Sequence, residues 1–199
     1  MTRYKKTFNR WSSTYDEEVS KASSTADWMF GGYDRVLDRV VAYCDLDKTD
    51  CASVLDIGIG TGNLGSRFSR RGMQVFGIDP SPDMRNICAQ KNPAVKVMPG
   101  DFLKYPRALN PVDLIISAYA FHHLTEKEKA KAIPRMKKLL KPGGRIVMAD
   151  FMFKNSMEKE RTARIIHETT GDDILTEFKA EYPGLYEDIV PLFEWEGFK

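Results

Sequence analysis

Three glycines that follow directly on an apolar run constrain the fold of this chain more than any other feature. The segment Val54–Ile57 is followed by Gly58, Gly60 and Gly62, a pattern typical of a short buried strand that turns into a helix. Glycine suits such a turn because it adopts backbone angles closed to other residues and lets a ligand lie against bare main chain. Open α/β sheets bind nucleotide-like ligands at this kind of turn, beyond the carboxyl ends of their strands.

The residues around the turn distinguish between two phosphate-containing ligands. A phosphate-binding P-loop would end in Gly-Lys-Ser or Gly-Lys-Thr, whereas Gly62 precedes Asn63. A dinucleotide site is harder to dismiss, because Gly60, Gly62 and Gly65 spell G-x-G-x-x-G. Asp79 also follows at about the 20-residue spacing of that fingerprint. The sequence therefore disfavours a P-loop and leaves the dinucleotide open.

A third ligand, S-adenosylmethionine (SAM), has a ribose and an adenine but no phosphate. Asp56 lies inside the first strand, where a dinucleotide-binding strand is normally apolar, and Gly58 begins the turn earlier than the dinucleotide pattern requires. Asp79 ends a second apolar segment, Gln74–Ile78, where its carboxylate can accept hydrogen bonds from both ribose hydroxyls. The alternative is that Asp79 merely caps the turn before Ser81. The first two details favour SAM.

A third predicted strand, at about residues 94–98, precedes Asp101 and Phe102. The acid can accept a hydrogen bond from the adenine amino group, and the ring can pack on the purine face. A solvated aspartate beside a core phenylalanine explains this segment nearly as well.

Five motifs in order resemble the motif series of class I SAM-dependent methyltransferases: VLDIGIGTGNL, GIDPSPDM, GDFL, VDLIISAYAFHHL and LLKPGGRIVMADF. With WSSTYDEEV near the start, the chain resembles the YrrT-type group of small bacterial methyltransferases. The resemblance implies an α/β fold with a Rossmann-like, doubly wound, mostly parallel sheet. It implies SAM as cofactor, S-adenosyl-L-homocysteine as product, and no metal.

The resemblance also implies roles for individual residues. The acid of the first strand and the glycines hold the methionine part of SAM, and the acid after the second strand takes the ribose. Residues after the second and third strands contact the adenine, those after the fourth line the methyl side, and an N-terminal tyrosine reaches the SAM carboxylate. The implied cofactor-binding residues are Tyr15, Asp56, Gly58, Gly60, Gly62, Asp79, Met84, Asp101, Phe102, Ala118 and Tyr119.

His122 and His123 follow the fourth predicted strand, at the sheet edge that faces the site. A histidine there can act as a general base on an oxygen or nitrogen acceptor, because its ordinary pKa is near neutrality. We expect one of the two to cap the turn before Leu124 and to point away. Four aromatic residues could cover the acceptor, although aromatic residues at helical spacing more often belong to a core: Trp11, Trp28, Phe30 and Tyr33.

Composition disfavours other functional classes. A net charge of +2 without a dense basic stripe argues against nucleic acid as a partner, and the lack of an apolar stretch of about 18 residues argues against a membrane span. Three cysteines without metal-ligand spacing are typical of reduced thiols in a cytoplasmic protein: Cys44, Cys51 and Cys88.

The chain of 199 residues is expected to form one methyltransferase domain. A helical cap would cover residues 1–50, the SAM-binding core residues 51–153, and a helical segment inserted after the fifth strand residues 154–199. Strands are expected at about 53–57, 74–78, 94–98, 112–117 and 144–150, alternating with helices. Class I methyltransferases add a terminal antiparallel hairpin, which we expect to be missing here. Either the chain is truncated, which we favour, or the protein manages with five strands, in which case the fifth strand would form an open edge.

The sequence therefore predicts transfer of a methyl group from SAM to a small-molecule acceptor by in-line displacement, with a homodimer as one possible assembly. After the fourth strand it has Ser117–Ala120 rather than the Asn-Pro-Pro-Tyr type of element of amino-methylating nucleic-acid enzymes. Two alternatives stay open. One is a nicotinamide-dependent oxidoreductase, for which the roughly 50 residues after Asp150 are few; the other is a SAM-binding protein without catalytic activity.

Overall fold

The computed structural model describes residues 12, 14–23, 31–44, 52–170 and 172–199. The strands are β1 Ser53–Ile57, β2 Gln74–Asp79, β3 Lys96–Pro99, β4 Val112–Ala118, β5 Leu140–Ala149, β6 Met152–Phe153 and β7 Gly184–Leu185. The α-helices are α1 Tyr15–Ser23, α2 Tyr33–Tyr43, α3 Gly65–Ser69, α4 Pro82–Lys91, α5 Glu126–Lys138, α6 Ser156–Thr170, α7 Asp172–Ala180 and α8 Tyr186–Trp195. A 3-10 turn covers Phe121–His123.

The main sheet has the order β3-β2-β1-β4-β5, and all its neighbouring strands run parallel. The first strand, β1, lies in the middle of the sheet. The chain adds β2 and β3 on one side of β1 and then returns to add β4 and β5 on the other side. A reversal of this kind opens a crevice at the carboxyl ends of the strands, where ligands bind. The doubly wound sheet predicted from the sequence is confirmed. β5 forms one edge of it within the described part of the chain, while β6 and β7 make a separate parallel pair.

Two strand boundaries differ from the sequence prediction. β3 begins at Lys96 rather than near residue 94, and β5 begins at Leu140 rather than at 144. The Pro142–Gly144 stretch, expected to end the preceding connection, lies inside β5. The pairing with β4 shifts register there, and Gly143 has a φ of 77°. A β-bulge accommodates the extra residues without ending the strand.

The helices that flank the crevice begin where their capping residues predict. At the start of α4, Ser81 Oγ accepts a hydrogen bond of 3.2 Å from the Met84 backbone amide, and Pro82 fills the first helical position, which needs no amide donor. At the start of α5, the Thr125 amide donates to Glu128 Oε2 at 2.9 Å, as in a capping box. These contacts fix where each helix leaves the sheet.

Apolar side chains from β1 anchor the sheet on both faces. Val54 belongs to a buried cluster with Leu37 and Phe68, whereas Leu55 belongs to a second cluster with Ile133. Each large side chain buried in this way contributes roughly 1.5–3 kcal/mol. The crevice is therefore built on a densely packed base.

Some sequence predictions concern residues outside the described ranges, namely Trp11, Trp28, Phe30 and Cys51. Of the other cysteines, Cys44 and Cys88 are buried. No helix among the described residues combines the length and the apolar character needed to cross a bilayer.

Candidate active site

A cleft at the carboxyl ends of β1, β2 and β4 brings together most of the predicted site residues. It encloses about 620 Å³ of empty space, its open mouth included. The predicted residues that line it are Tyr15, Asp56, Gly58, Gly60, Asp79, Met84, Ala118, Tyr119 and His123.

The three glycines all adopt the left-handed conformation that glycine permits, with φ of 76°, 55° and 90° at Gly58, Gly60 and Gly62. A Cβ on Gly58 would lie 2.5 Å from the Ala120 Cβ, whereas a Cβ on Gly60 would meet nothing within 4 Å. Gly58 thus lets the β1 turn pack against the β4 turn, and Gly60 presents bare main chain to the cleft. Gly62 faces the other way, against α4, where a Cβ would lie 2.7 Å from Cys88 Sγ.

Asp79 joins the glycine turn to the start of α4. Its Oδ2 accepts from the Gly60 amide at 3.1 Å and its Oδ1 from the Ser81 amide at 2.7 Å. Burial raises the pKa of Asp79 to about 6, although the Ser81 and Gly60 amides oppose that rise. Asp79 therefore caps its turn and also lines the cleft, so the two sequence interpretations of this residue are compatible.

Asp56 is a buried acid whose hydrogen bonding is incomplete. The residue is 1% exposed, and its Oδ2 has no hydrogen-bond partner among the described residues. Burial raises its pKa to about 8; the Gly65 backbone amide opposes the rise, and the Asp79 carboxylate adds to it. A buried polar atom without a partner is costly, so a ligand that donates a hydrogen bond here would relieve that cost. The amino and hydroxyl groups of SAM are such donors. Gly60, which has no side chain, leaves room for the ligand.

Three tyrosines form one wall of the cleft. The Tyr15 and Tyr33 side chains hydrogen-bond each other, and the Tyr119 ring stacks on Tyr33 with centroids 5.3 Å apart. Burial raises the pKa of Tyr15, and it raises that of Tyr119 to about 12, so both hydroxyls stay neutral. Tyr119 has a φ of 52°, a conformation that non-glycine residues rarely adopt outside functional sites. Neutral aromatic faces suit a cationic ligand.

Asp16, which the sequence did not single out, ties α1 to the glycine turn. Its Oδ1 accepts from Thr61 Oγ1 at 2.6 Å and from Asn63 Nδ2 at 3.0 Å, and its Oδ2 pairs with Lys91. Partial burial would raise the pKa of Asp16, but the Lys91, Thr61 and Asn63 hydrogen bonds outweigh it and lower the pKa. The first described helix is thereby held against the glycine turn.

The two histidines have different surroundings. His123 lines the cleft, whereas His122 is tied to Asp150 through its Nδ1 and through its backbone amide, 2.9 Å from Asp150 Oδ2. Asp150 therefore caps this turn by accepting from the Phe121 and His122 amides, and the capping role expected of one histidine stays a prediction. Burial disfavours the charged form of both. Asp150 and Glu181 reverse this for His122 and raise its pKa, while the pKa of His123 is lowered by burial despite its bond to Glu181.

Glu181 completes this cluster from a distant part of the chain. Its Oε2 lies 2.9 Å from His123 Nδ1 and 3.6 Å from His122 Nε2. In the described part of the chain, Glu181 and the two histidines are the one group whose ligand atoms, all within 4.8 Å of one another, could hold a metal ion. Asp150 and Glu181 favour the charged form of His122, and Lys129 is a further positive charge nearby.

Asp101 and Phe102 do not line the cleft, and neither do Gly62 and His122. The Asp101 carboxylate accepts from the Leu103 and Lys104 amides at 2.8 and 2.9 Å. The Phe102 ring is fully buried and packs edge-on against Phe121, with centroids 5.2 Å apart. Their contact with adenine stays a prediction.

The fold and the site together define a Rossmann-like methyltransferase, and comparison with solved structures supports this class. The magnesium protoporphyrin IX methyltransferase of Synechocystis PCC 6803, solved with bound S-adenosyl-L-homocysteine, matches with a TM-score of 0.72 at 18% identity, over 98% of this chain and 90% of that one. SAM-bound CalS10 from Micromonospora echinaspora matches with a TM-score of 0.54 at 27% identity, over 69% of this chain and 56% of that one.

Sequence relatives give the family. Residues 54–144 match a methyltransferase domain model. An uncharacterized methyltransferase of Geobacillus kaustophilus is 38% identical over 96% of this chain and 86% of its own length. The uncharacterized methyltransferase YrrT of Halobacillus halophilus is 31% identical over 96% of this chain and 87% of its own length. The chain belongs to this family of SAM-dependent methyltransferases. Membership sets aside the oxidoreductase alternative.

Proposed function

We propose that this protein transfers the methyl group of SAM to a small-molecule acceptor by in-line displacement. The enclosure of the cleft is the observation that carries the proposal. Asp16 holds α1 against the glycine turn, and the Tyr33 and Tyr119 rings close one side. A cleft that is bounded in this way suits a small acceptor better than a polymer.

Several structural neighbours are consistent with that acceptor class. The Synechocystis enzyme acts on magnesium protoporphyrin IX, and CalS10 is an amino pentose methyltransferase. These likenesses support the choice of acceptor class and leave the acceptor's identity open.

The chain's main contribution would be to bind and orient both reactants. SAM, when bound, supplies a methyl group already activated by its sulfonium sulfur. Asp79 would accept from the ribose hydroxyls, Asp56 and the glycine turn would hold the methionine part, and Met84 would pack near the adenine. Alignment of two reactants can lower a barrier by up to about 7–11 kcal/mol. The tyrosine wall would help to exclude water.

His123 would take the proton of an oxygen or nitrogen acceptor. It lines the cleft beside Ala118 and Tyr119, on the side assigned to the methyl group. Burial lowers its pKa, so its ring is mostly neutral at pH 7 and can accept a proton. His122, which is held by Asp150 behind it, would not contact the acceptor.

The experiment that tests this proposal uses methyl-labelled SAM and a fractionated cell extract. We expect the label in the metabolite fraction, as a SAM-dependent mass gain of one methylene on a small molecule. Asp79→Ala serves as the cofactor-binding control and should abolish incorporation at low SAM. Preferential label in RNA, DNA or protein would refute the small-molecule acceptor. Tight SAM binding without transfer to any fraction would favour the inactive-protein alternative.

The remaining expectations stay predictions. They are a cytoplasmic location, a homodimer as a possible assembly, and the division of the single domain into residues 1–50, 51–153 and 154–199.

A further inference from the structure

Glu181 is placed beside His123 by contacts of the main chain next to it as well as by its own side chain. The Tyr182 amide donates to the His122 carbonyl at 3.1 Å, and Lys129 Nζ donates to the Tyr182 carbonyl. Lys129 is fully buried, so this anchor is shielded from water. The segment after α7 is thereby tied to the turn that carries both histidines.

The Glu181 carboxylate determines which nitrogen of His123 carries a proton. An ionised carboxylate only accepts hydrogen bonds, so His123 Nδ1, 2.9 Å from Glu181 Oε2, must be the protonated nitrogen of the neutral ring. The lone pair then lies on Nε2. The same division of roles makes a carboxylate-held histidine an effective base in other enzymes.

His122 holds Glu181 in place from the other side. Its Nδ1 pairs with the buried Asp150, and its Nε2 lies 3.6 Å from the same Glu181 oxygen that His123 uses. The charged groups that face Glu181 are thus His122 and, further away, Lys129 on the positive side and Asp150 on the negative side. Lys129 is itself paired with Glu126, whose Oε1 lies 2.8 Å from Lys129 Nζ.

We propose that Glu181 is the positioning residue of His123, holding the tautomer whose Nε2 takes the proton of the methyl acceptor, and that the His122–Asp150 pair holds Glu181. This inference rests on the proposed function. In the transfer, a bond forms from the acceptor atom to the methyl carbon while the carbon–sulfur bond breaks, and its electron pair goes to sulfur. The acceptor's proton goes to His123 Nε2 and leaves from there to solvent.

Three variants separate the positioning role from a structural one. Glu181→Ala removes the acceptor of the Nδ1 hydrogen bond, whereas Glu181→Gln removes the charge but keeps an oxygen that can accept it. Glu168→Gln, on the exposed side of α6, is the matched control. Only three histidines occur in the chain, so the imidazole nitrogen spectrum is simple to assign. The His167→Gln variant identifies the signals of the exposed histidine by their disappearance.

The first readout is the tautomer and titration of His123, measured from imidazole nitrogen chemical shifts in the whole protein. The second is methyl transfer from labelled SAM to the small-molecule fraction, together with SAM affinity by calorimetry. For Glu181→Ala we expect loss of the Nδ1–H tautomer and a fall in transfer of about 100-fold, at the low end for a positioned base. Glu181→Gln should keep the tautomer and part of the activity, and SAM affinity should stay unchanged.

An unchanged tautomer and titration of His123 in Glu181→Ala would overturn the inference. An equal loss of methyl transfer in Glu168→Gln would also overturn it. A loss of methyl transfer in Glu181→Ala that is matched by a loss of SAM affinity would do the same. If the unsubstituted protein methylates no small molecule, the proposed function fails. The nitrogen spectrum would still decide whether Glu181 holds the His123 tautomer.

Discussion

Replacing Asp56 by asparagine should make the cofactor-free protein less sensitive to rising pH. The Asp56 carboxyl titrates near pH 4 in the unfolded chain, whereas burial raises its pKa to about 8 in the folded protein. Between these values the folded protein still binds a proton that the unfolded chain has released, so stability falls as pH rises through this window. An asparagine in the same place does not titrate and removes this slope.

The expected magnitude follows from the two pKa values. At about 1.4 kcal/mol per pKa unit, the raised pKa of Asp56 costs the folded state about 1 kcal/mol at pH 5 and about 4 kcal/mol at pH 7. The new amide group costs about 1–3 kcal/mol if its N–H donors stay unsatisfied, but that cost is the same at every pH. The stability difference between variant and wild type should therefore widen by about 3 kcal/mol from pH 5 to pH 7. For a chain of this size that corresponds to roughly 6–12 °C in melting temperature.

Urea unfolding and thermal melts at pH 5, 6, 7 and 8 would measure this difference. Asp113→Asn is the matched control. Burial opposes ionisation of Asp113, but hydrogen bonds from Ser53 and Lys141 outweigh it and lower the pKa to about 2. Asp113 is therefore ionised in both states across this range, and its variant should differ from wild type by a constant amount. A constant difference for Asp56→Asn as well would refute the reasoning, since it would mean that Asp56 is already ionised in the folded protein.

Two further substitutions test the cleft. Asp79→Ala should weaken SAM binding by about 10- to 100-fold, the range for losing a hydrogen bond to a charged group; unchanged affinity in a folded variant, by calorimetric titration, would remove Asp79 from the site. Asp16→Ala should speed amide exchange in α1 by an amount equivalent to about 1 kcal/mol while the exchange of β1 stays slow. Glu17→Ala, which breaks an exposed ion pair with Lys21, should change this exchange little. Equal effects of both variants would argue against the role of Asp16 in holding α1 to the glycine turn.

The fold could be predicted because its signals are local. The glycine turn, the alternation of apolar strands with helices and the caps of α4 and α5 each depend on a few neighbouring residues. The same holds for Asp79, whose partners at Gly60 and Ser81 lie next to strand ends. The start of β5 was missed because a bulge keeps Pro142–Gly144 within the strand, although these residues normally end one.

The contacts that complete the site could not be predicted from the same signals. Asp16 meets Thr61 across 45 residues and Glu181 meets His123 across 58, and nothing in the neighbouring sequence marks either acid as a partner. Phe102 is a different case, because the sequence left both a contact with adenine and a place in the core open. Its ring packs on Phe121, since burial of a large apolar side chain is favourable wherever the core offers space, and its contact with adenine stays a prediction.

The buried aspartates of this protein differ in whether the chain itself supplies hydrogen-bond donors to their carboxylate oxygens. Asp150 accepts from the amides of Phe121, His122 and Phe151 as well as from His122 Nδ1; burial would raise its pKa, but these partners outweigh burial and lower it. Asp56 is equally buried, yet its Oδ2 lacks a partner among the described residues, and its pKa rises. The difference lies in the fold around them, since the residue type is the same. A carboxylate left unsatisfied at the edge of a cleft costs stability while the cleft holds no ligand, and a ligand that donates hydrogen bonds there restores it. We therefore propose that the incomplete hydrogen bonding of Asp56 couples cofactor binding to the stability of this fold.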